Sequence, residues 1–314
     1  MAIYLLGRIT GGVLTLLLVS ALAFFATALA PGNPAAVLLG NMATPERVAA
    51  ITKLMGLDQP LPVRYVLWLK TTLQGNLGTS NLSFRPVNDL VMAAIPATLQ
   101  LAAMSLVLAV AIAIPLGLIL AQKRASWWTR PVSAIVTLGI SVPGFWVGLL
   151  LIVVFSVTFK LLPSGGYVPI GRNLGGNLRA MILPTLTLAI YLIPSLVRFV
   201  RVTATAVLRE DYIDTARAKG VSSTAILLRH VAPNTLITTL TYIGLQLGVL
   251  ISGAIVVEII FAIPGLGRLG MNAVLNRDYP VIQGVVLFAA AGYVVVNLLI
   301  DLTYALIDPR VRAR

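Results

Sequence analysis

Residues 210–234 read EDYIDTARAKGVSSTAILLRHVAPN, a polar block lying between two apolar runs, residues 181–197 before it and residues 236–261 after it. Runs of that length and character are long enough to cross a bilayer core of roughly 30 Å as helices. A polar block stranded between two such spans implies a soluble partner that receives it. Within the block, Tyr212, Ile213, Ala216 and Ala218 give a small-residue helical face and Gly220 stops that helix. Ser222 or Ser223 can cap a second helix through Ile226, Leu227 and Val231. Two short helices meeting at a glycine make a compact knob.

The rest of the chain is membrane-like. Of 314 residues, 58% are hydrophobic and 11% charged, and the mean hydropathy is +0.96, outside the range of a soluble globular domain. Apolar runs cover residues 9–30, 99–121, 131–159, 181–197, 236–261 and 281–300, which makes six candidate spans in an all-α chain. Ala28-Leu29-Ala30 has the form of a signal-peptidase site. The apolar run before it is longer than a signal core of roughly 7 to 15 residues, however, and Pro31 follows at once, so the first run reads as a retained span.

With six spans and the N-terminus inside, 13 of the 23 Lys and Arg residues fall on the inner side, and five of the other ten sit in one long outer loop. Long outer loops count little in the positive-inside rule, so both termini and the knob are expected to be cytoplasmic. The net charge of +13 follows this topology: the basic residues border spans and are not interleaved with stacking aromatics, which argues for anionic lipid and against nucleic acid. There is no cysteine and one histidine, which excludes disulfides, thiolate chemistry and a multi-histidine metal site.

The chain divides into an N-terminal span at 1–30, an outer segment at 31–95, a transmembrane domain at 96–305 that includes the knob, and a cytoplasmic tail at 306–314. The outer segment is too long for a simple connector. Two helices are expected in it, residues 44–55, capped by Thr44 and closed by Gly56, and residues 62–73, closed by Gly75. A lid over the span ends and a docking surface are both open readings of it.

The knob resembles the EAA loop of bacterial ABC importer permeases: Asp214, Thr215 and Ala216, three further residues, then Gly220. The carboxylate is one methylene shorter than the family's glutamate, and threonine replaces the first alanine. TARAKG followed by His230 and Asn234 is the form of the peptide and nickel branch; the departure from it is Ala232 and Pro233. Pro31-Gly32-Asn33-Pro34, Gly56-Leu57-Asp58-Gln59-Pro60, Gly75-Asn76-Leu77-Gly78 and Arg85-Pro86-Val87 are similar to N-terminal signatures of the dipeptide, oligopeptide, glutathione and nickel permeases. Ser141-Val142-Pro143, Leu183-Pro184, GAIVVEIIFAIPGLGRL at 253–269, RDYPVIQ at 277–283 and the ending at 297–312 continue the likeness in family order.

The resemblance implies six transmembrane helices of the type I ABC importer permease fold with an extracytoplasmic segment between helices 1 and 2, in the bacterial cytoplasmic membrane. It further implies a second homologous permease subunit as heterodimer partner, two cytoplasmic ATPases that bind the ATP and Mg, and an extracytoplasmic solute-binding protein. The cargo would be dipeptides, oligopeptides or related small solutes, with glutathione or a nickel chelate as alternatives. Tyr212, Asp214, Thr215, Ala216, Ala218, Lys219, Gly220, His230 and Asn234 would form the ATPase-coupling loop.

The chain's own residues offer no catalytic site. A phosphate loop needs a Gly-Lys pair and no such dipeptide occurs; Gly265-Leu266-Gly267 follows Pro264 and reads as a turn outside the membrane. Only Glu258 and Asp301 are acids inside spans, at opposite ends of the bilayer, so they do not make an acid–base pair. Asp301 is expected to pair with an inner-face arginine. Glu258 has two open readings, a structural tie to the following loop or, with Pro264, Gly265 and Gly267, part of an outer gate. Gly244, Gly248 and Ser252 form a small-residue stripe for helix packing, and Gln246 lies about 200° around the helix from Gly244, where it could face a water-filled path. Pro115, Pro143 and Pro194 can kink their spans. A secondary transporter or channel is the more distant alternative, but the inverted repeats and paired intramembrane ions it would show are not found.

Overall fold

The computed structural model describes residues 2–30, 34–54, 56–123 and 126–307. Thirteen α-helices occur among them, in the order α1 (Ala2–Ala28), α2 (Pro34–Leu39), α3 (Pro45–Leu54), α4 (Leu61–Leu73), α5 (Val87–Gln122), α6 (Thr129–Ser141), α7 (Gly144–Leu151), α8 (Leu174–Val207), α9 (Asp211–Ala218), α10 (Ser223–Ile226), α11 (Ala232–Ile260), α12 (Leu266–Leu275) and α13 (Tyr279–Ile307). Pro31, Gly32, Asn33, Met55, Arg124, Ala125 and the tail from Asp308 lie outside the described residues, as do the side chains of Ser252 and Asp301.

Four helices among the described residues are long and apolar enough to cross a membrane: Leu6–Ala28, Val87–Gln122, Leu174–Val207 and Tyr279–Leu299. The apolar run at 236–261 is carried by α11, whose 29 residues span about 43 Å. The remaining run, expected as one span over 131–159, is instead two helices bent by 104°. Pro143 is the cause. It has no N–H to continue the ladder, and it drives the residue before it out of the helical region; Val142 is extended at φ −83°, ψ 125°. Beyond α7 the helix widens into a π segment, Ile152–Thr158.

Two compact units are present. The first comprises Met1–Pro96 and Pro264–Val295. In it α3 and α4 form as expected; the Thr44 hydroxyl accepts from the Arg47 amide at 3.4 Å, and Gly56 (φ +62°) and Gly75 (φ +84°) close the two helices. Phe24 of α1 packs on Tyr65 and Trp68 of α4 at centroid separations of 5.5 and 5.6 Å. Asp278, buried at the start of α13, accepts from the Ser80 hydroxyl at 2.5 Å and the Asn81 amide at 3.0 Å, which pins the loop after α4.

The second unit, Ala97–Ile263 and Val296–Arg314, is built around α8. Two thirds of that helix's apolar window is buried, against a sixth to a third for the other spans, so α8 is the central helix. Leu183, Leu188, Leu192, Leu196 and Val197 of α8 meet Leu101, Ala109 and Leu120 of α5 and Leu250, Ala254 and Val257 of α11 in one core. Small residues allow these approaches. A Cβ on Gly117 would stand 2.7 Å from Val200 Cβ, and one on Gly253 would stand 3.0 Å from Leu188 Cδ1.

Candidate coupling surface and span-end sites

The knob starts with α9. Ile213 and Ala216, three residues apart and so on one helical face, are buried, whereas Asp211, Tyr212, Asp214, Thr215, Arg217, Ala218 and Lys219 are exposed. The buried pair enters a core with Leu118 and Ala121 at the end of α5, Val200 and Ala204 of α8, and Ile226, Leu227 and Val231 further on. The small-residue face expected at Tyr212, Ile213, Ala216 and Ala218 is therefore split in two. Ala216 and Ile213 turn inward because the span ends offer apolar surface, and Tyr212 and Ala218 turn outward.

Gly220 closes α9 in a two-bond cap. Its amide donates to the Arg217 carbonyl at 2.9 Å and the Val221 amide to the Ala216 carbonyl at 3.2 Å, with Gly220 at φ +76°. This left-handed geometry is the one a glycine adopts without strain. On the far side the Ser222 hydroxyl accepts from the Ala225 amide at 3.3 Å and caps α10, and Ser223 lies inside the helix.

The second knob helix does not end before the fifth span. α10 passes through a π turn at Leu227–Val231 directly into α11. Pro233 explains the turn, since its ring crowds the carbonyl four residues back and it cannot donate, so the backbone loosens by one residue over that stretch. The Asn234 Nδ2 donates to the His230 carbonyl at 2.7 Å and to the Tyr212 hydroxyl at 3.4 Å. Asn234 thus links the start of α11 to Tyr212 of α9, and His230 takes part through its main-chain carbonyl. Partial burial, then the Glu210 carboxylate, raises the Tyr212 phenol above its ordinary pKa. On the exposed face Asp214 pairs with Arg217 at 2.9 Å.

At the other end of α11, Glu258 has no exposed surface and accepts from the Thr98 hydroxyl of α5 at 2.6 Å. Pro264 does not end the helix there. The end is a two-bond cap around Ala262 at φ +52°, in which the Ile263 amide donates to the Glu258 carbonyl at 2.8 Å and the Ala262 amide to the Ile259 carbonyl at 3.3 Å. The Phe261 carbonyl left over accepts from Gly166 at 2.7 Å. Nor is Gly265-Leu266-Gly267 a turn. Gly265 is extended (φ −100°) at the start of α12 and Gly267 lies inside that helix.

The buried stripe of α11 runs through Thr235, Thr239, Gln246, Leu250, Ala254 and Val257. Gln246 faces α8, where its Nε2 donates to the Ser195 hydroxyl at 2.8 Å, and does not face an open path. Gly244 is buried, and Gly248 lines a cavity of about 610 Å³ with Pro143, Tyr191 and Gly253. A polar knot absent from the expectations joins α5 to α8: Gln100 and the fully buried Asn177 exchange amide hydrogen bonds at 2.5 and 3.1 Å, and Asn177 also donates to the Val168 carbonyl at 2.6 Å. No periodicity announces it, because single amides in apolar runs look like tolerated exceptions.

The described residues thus hold four helices long and apolar enough to cross a membrane, and a polar helix, α9, packed on the ends of α5 and α8. Among the described residues no cluster of three or more His, Cys, Asp or Glu could hold a metal. Residues 113–313 match the family described as binding-protein-dependent transport system inner membrane component, and residues 1–102 match its N-terminal companion. The chain is 40% identical over 312 residues, 99% of each chain, to a Brucella abortus (strain 2308) protein provisionally named a peptide transport system permease protein. It is also 40% identical over 309 residues, 98% of each chain, to the glutathione transport system permease protein GsiC of Salmonella typhi. A solved structure of the inward-facing MetNI methionine ABC transporter superposes with a TM-score of 0.59 at 20% identity, covering 70% of this chain and 96% of that one.

The chain therefore belongs to the family of inner membrane components of binding-protein-dependent transport systems. It is a multi-pass permease subunit of an ABC importer with the type I permease fold, and it works with ATPase and solute-binding partners; the family is a transport component, not a catalyst.

Proposed function

We propose that this subunit imports short peptides, that the exposed face of α9 docks a cytoplasmic ATPase, and that α10 and α11 carry the resulting motion into the membrane. The observation that carries the reading is continuity. α10 runs through the π turn into α11 with no loop between them, while Ile213 and Ala216 clamp α9 onto α5 and α8. Force on the outward residues Tyr212, Asp214, Thr215, Ala218 and Lys219 is thereby delivered to three spans at once. Gly220, His230 and Asn234 hold the angle between the two arms.

In this reading a second homologous permease completes the pathway, two ATPases bind ATP and Mg, and a solute-binding protein delivers cargo on the opposite face. Both termini and the knob are cytoplasmic, and residues 31–95 are extracytoplasmic, as the placement of Lys and Arg supports. Alternating access requires that ATP binding favour one state over the other by differential contacts, and the α9 face is where those contacts are made. Glu258 anchors the extracytoplasmic end of α11 to α5.

Peptide is favoured as cargo by the provisionally named Brucella relative, and glutathione by GsiC at equal identity. The test is uptake in proteoliposomes holding the whole importer and its binding protein, with labelled dipeptide, tripeptide and glutathione in competition. Saturable ATP-dependent dipeptide or tripeptide uptake that excess glutathione leaves intact supports peptide; uptake of glutathione alone replaces it.

A further inference from the structure

The second unit holds a cavity of about 660 Å³ between α6 and α8. Two stripes face each other across it: Ser133, Val136, Thr137 and Ile140 from α6, and Arg198, Arg201, Val202 and Thr205 from α8. Each set steps by three, four and seven residues, the spacing of one helical face. The two helices run antiparallel here. A Cβ on Gly139 would stand 2.8 Å from Pro194 Cγ, and Arg201 Nη1 donates to the Ser133 hydroxyl at 2.8 Å. The arginines therefore sit toward the knob end of the cavity, and Ile140 toward the middle of the span.

The two guanidiniums have no counter-ion among the described residues. No Asp or Glu lines the cavity, α6 and α8 contain none, and the one acid of α5, Asp89, lies in the first turn of that 36-residue helix, at the end away from the cavity. Among the described residues Arg201 has a single acceptor, the Ser133 hydroxyl, and Arg198 has none. The hydroxyl protons of α6 are already committed: Ser133 donates to the Thr129 carbonyl at 2.6 Å and Thr137 to the Ser133 carbonyl at 2.9 Å. A guanidinium carries five donors, and Arg201 is half-buried, where an unpaired charge is costly. The arrangement calls for an anion from outside the chain.

Depth in the membrane says which anion. The 34 residues of α8 make a helix of about 51 Å, against a hydrocarbon core of roughly 30 Å, so its ends project beyond the core. Arg201 lies six residues before Val207, the last residue of α8, or about 9 Å along the axis, which is headgroup level. Trp127, 86% exposed just before α6, marks the same boundary as interfacial aromatics do. From there the lining turns apolar toward the span middle, through Val136 to Ile140, which is 46% exposed. Basic pockets between membrane helices at this level suit anionic lipid headgroups. We propose that the cavity binds one anionic phospholipid, its phosphodiester held by Arg198 and Arg201 and an acyl chain laid along Val136 and Ile140. The inference rests on the chain's being a membrane permease and not on its cargo or on ATPase docking at α9.

The test is native mass spectrometry of the assembled importer in detergent, titrated separately with dioleoyl phosphatidylglycerol, dioleoyl phosphatidylcholine and the dipeptide Phe-Leu. Phosphatidylglycerol should bind saturably, one equivalent per copy of this chain, and about fivefold tighter than the zwitterionic lipid. Arg201→Gln should weaken it about tenfold, as loss of a hydrogen bond between charged groups does, and the more exposed Arg198→Gln about fivefold. Arg172→Gln, an equal loss of charge at an exposed position before α8, should leave it unchanged. Equal binding of the two lipids, or equal phosphatidylglycerol binding by wild type, Arg198→Gln and Arg201→Gln, overturns the proposal. So does Phe-Leu binding that Arg201→Gln abolishes while phosphatidylglycerol stays unbound, which would assign the arginines to a cargo carboxylate, or loss of a partner subunit from the Arg201→Gln importer, which would assign them to that subunit's acid. A thermal melt separates loss of the site from loss of the fold, and the comparison of the two lipids on the wild type needs no variant.

Discussion

The Thr98 hydroxyl donates to Glu258 Oε1 across 2.6 Å, joining α5 to the end of α11 at an acid with no exposed surface. A carboxyl group at that depth is tolerated only because it is hydrogen-bonded. Glu258→Ala removes this hydrogen bond and opens a void, lowering stability by about 1–3 kcal/mol. Glu258→Gln keeps the shape and the acceptor. Detergent melts should show Gln near wild type and Ala clearly lower. If Gln also assembles normally but alters ATPase stimulation by loaded binding protein, the carboxylate has a gating role; if Gln is silent and Ala disrupts assembly, the link is structural.

Gly220 offers a separable test of backbone strain. A Cβ there would meet nothing within 4 Å, so only its φ of +76° resists substitution. Gly220→Val should cost about 1–2 kcal/mol locally, and Gly220→Asn less, since asparagine tolerates the left-handed region. Membrane insertion should be normal in both, with ATP-driven uptake reduced in the order Val, Asn, wild type. Equal uptake in all three would remove the turn from the coupling account.

Close helix approach predicts a rescue. A Cβ on Gly117 would lie 2.7 Å from Val200 Cβ and 3.0 Å from the Val197 carbonyl. Gly117→Ala should destabilise the chain by about 1–3 kcal/mol, and Val200→Ala in the same molecule should recover part of that. Gly171→Ala, which meets nothing within 4 Å, should be silent in the same melting assay.

Much of this fold is legible in the sequence, because hydropathy sets the spans and glycine and serine set the ends of the short helices. The helices α3 and α4 and the cap at Gly220 follow from such local signals. What escapes is what depends on a neighbour. Ala216 and Ala218 are the same residue two positions apart, and only the apolar ends of α5 and α8 decide that one is buried and the other exposed. Pro143 announces a disturbance but not a bend of 104°, and Pro233 leaves the end of the second knob helix open where the structure carries it through a π turn. Gln246 and Asn177 lie in apolar runs with nothing to name Ser195 or Gln100 as their partners.

The central claim is that the outward face of α9 touches an ATPase while its inward face holds the spans. Because the chain has no cysteine, single cysteines can be placed without background, and the decisive measurement is cross-linking yield to the ATPase in the assembled importer. Tyr212→Cys and Ala218→Cys should cross-link strongly, with a yield that changes when ATP is bound. Ala216→Cys, on the buried face, and Lys70→Cys on α4 should not. Absence of cross-links at 212 and 218, or yields at 216 and 70 as high as those at 212 and 218, would contradict the account.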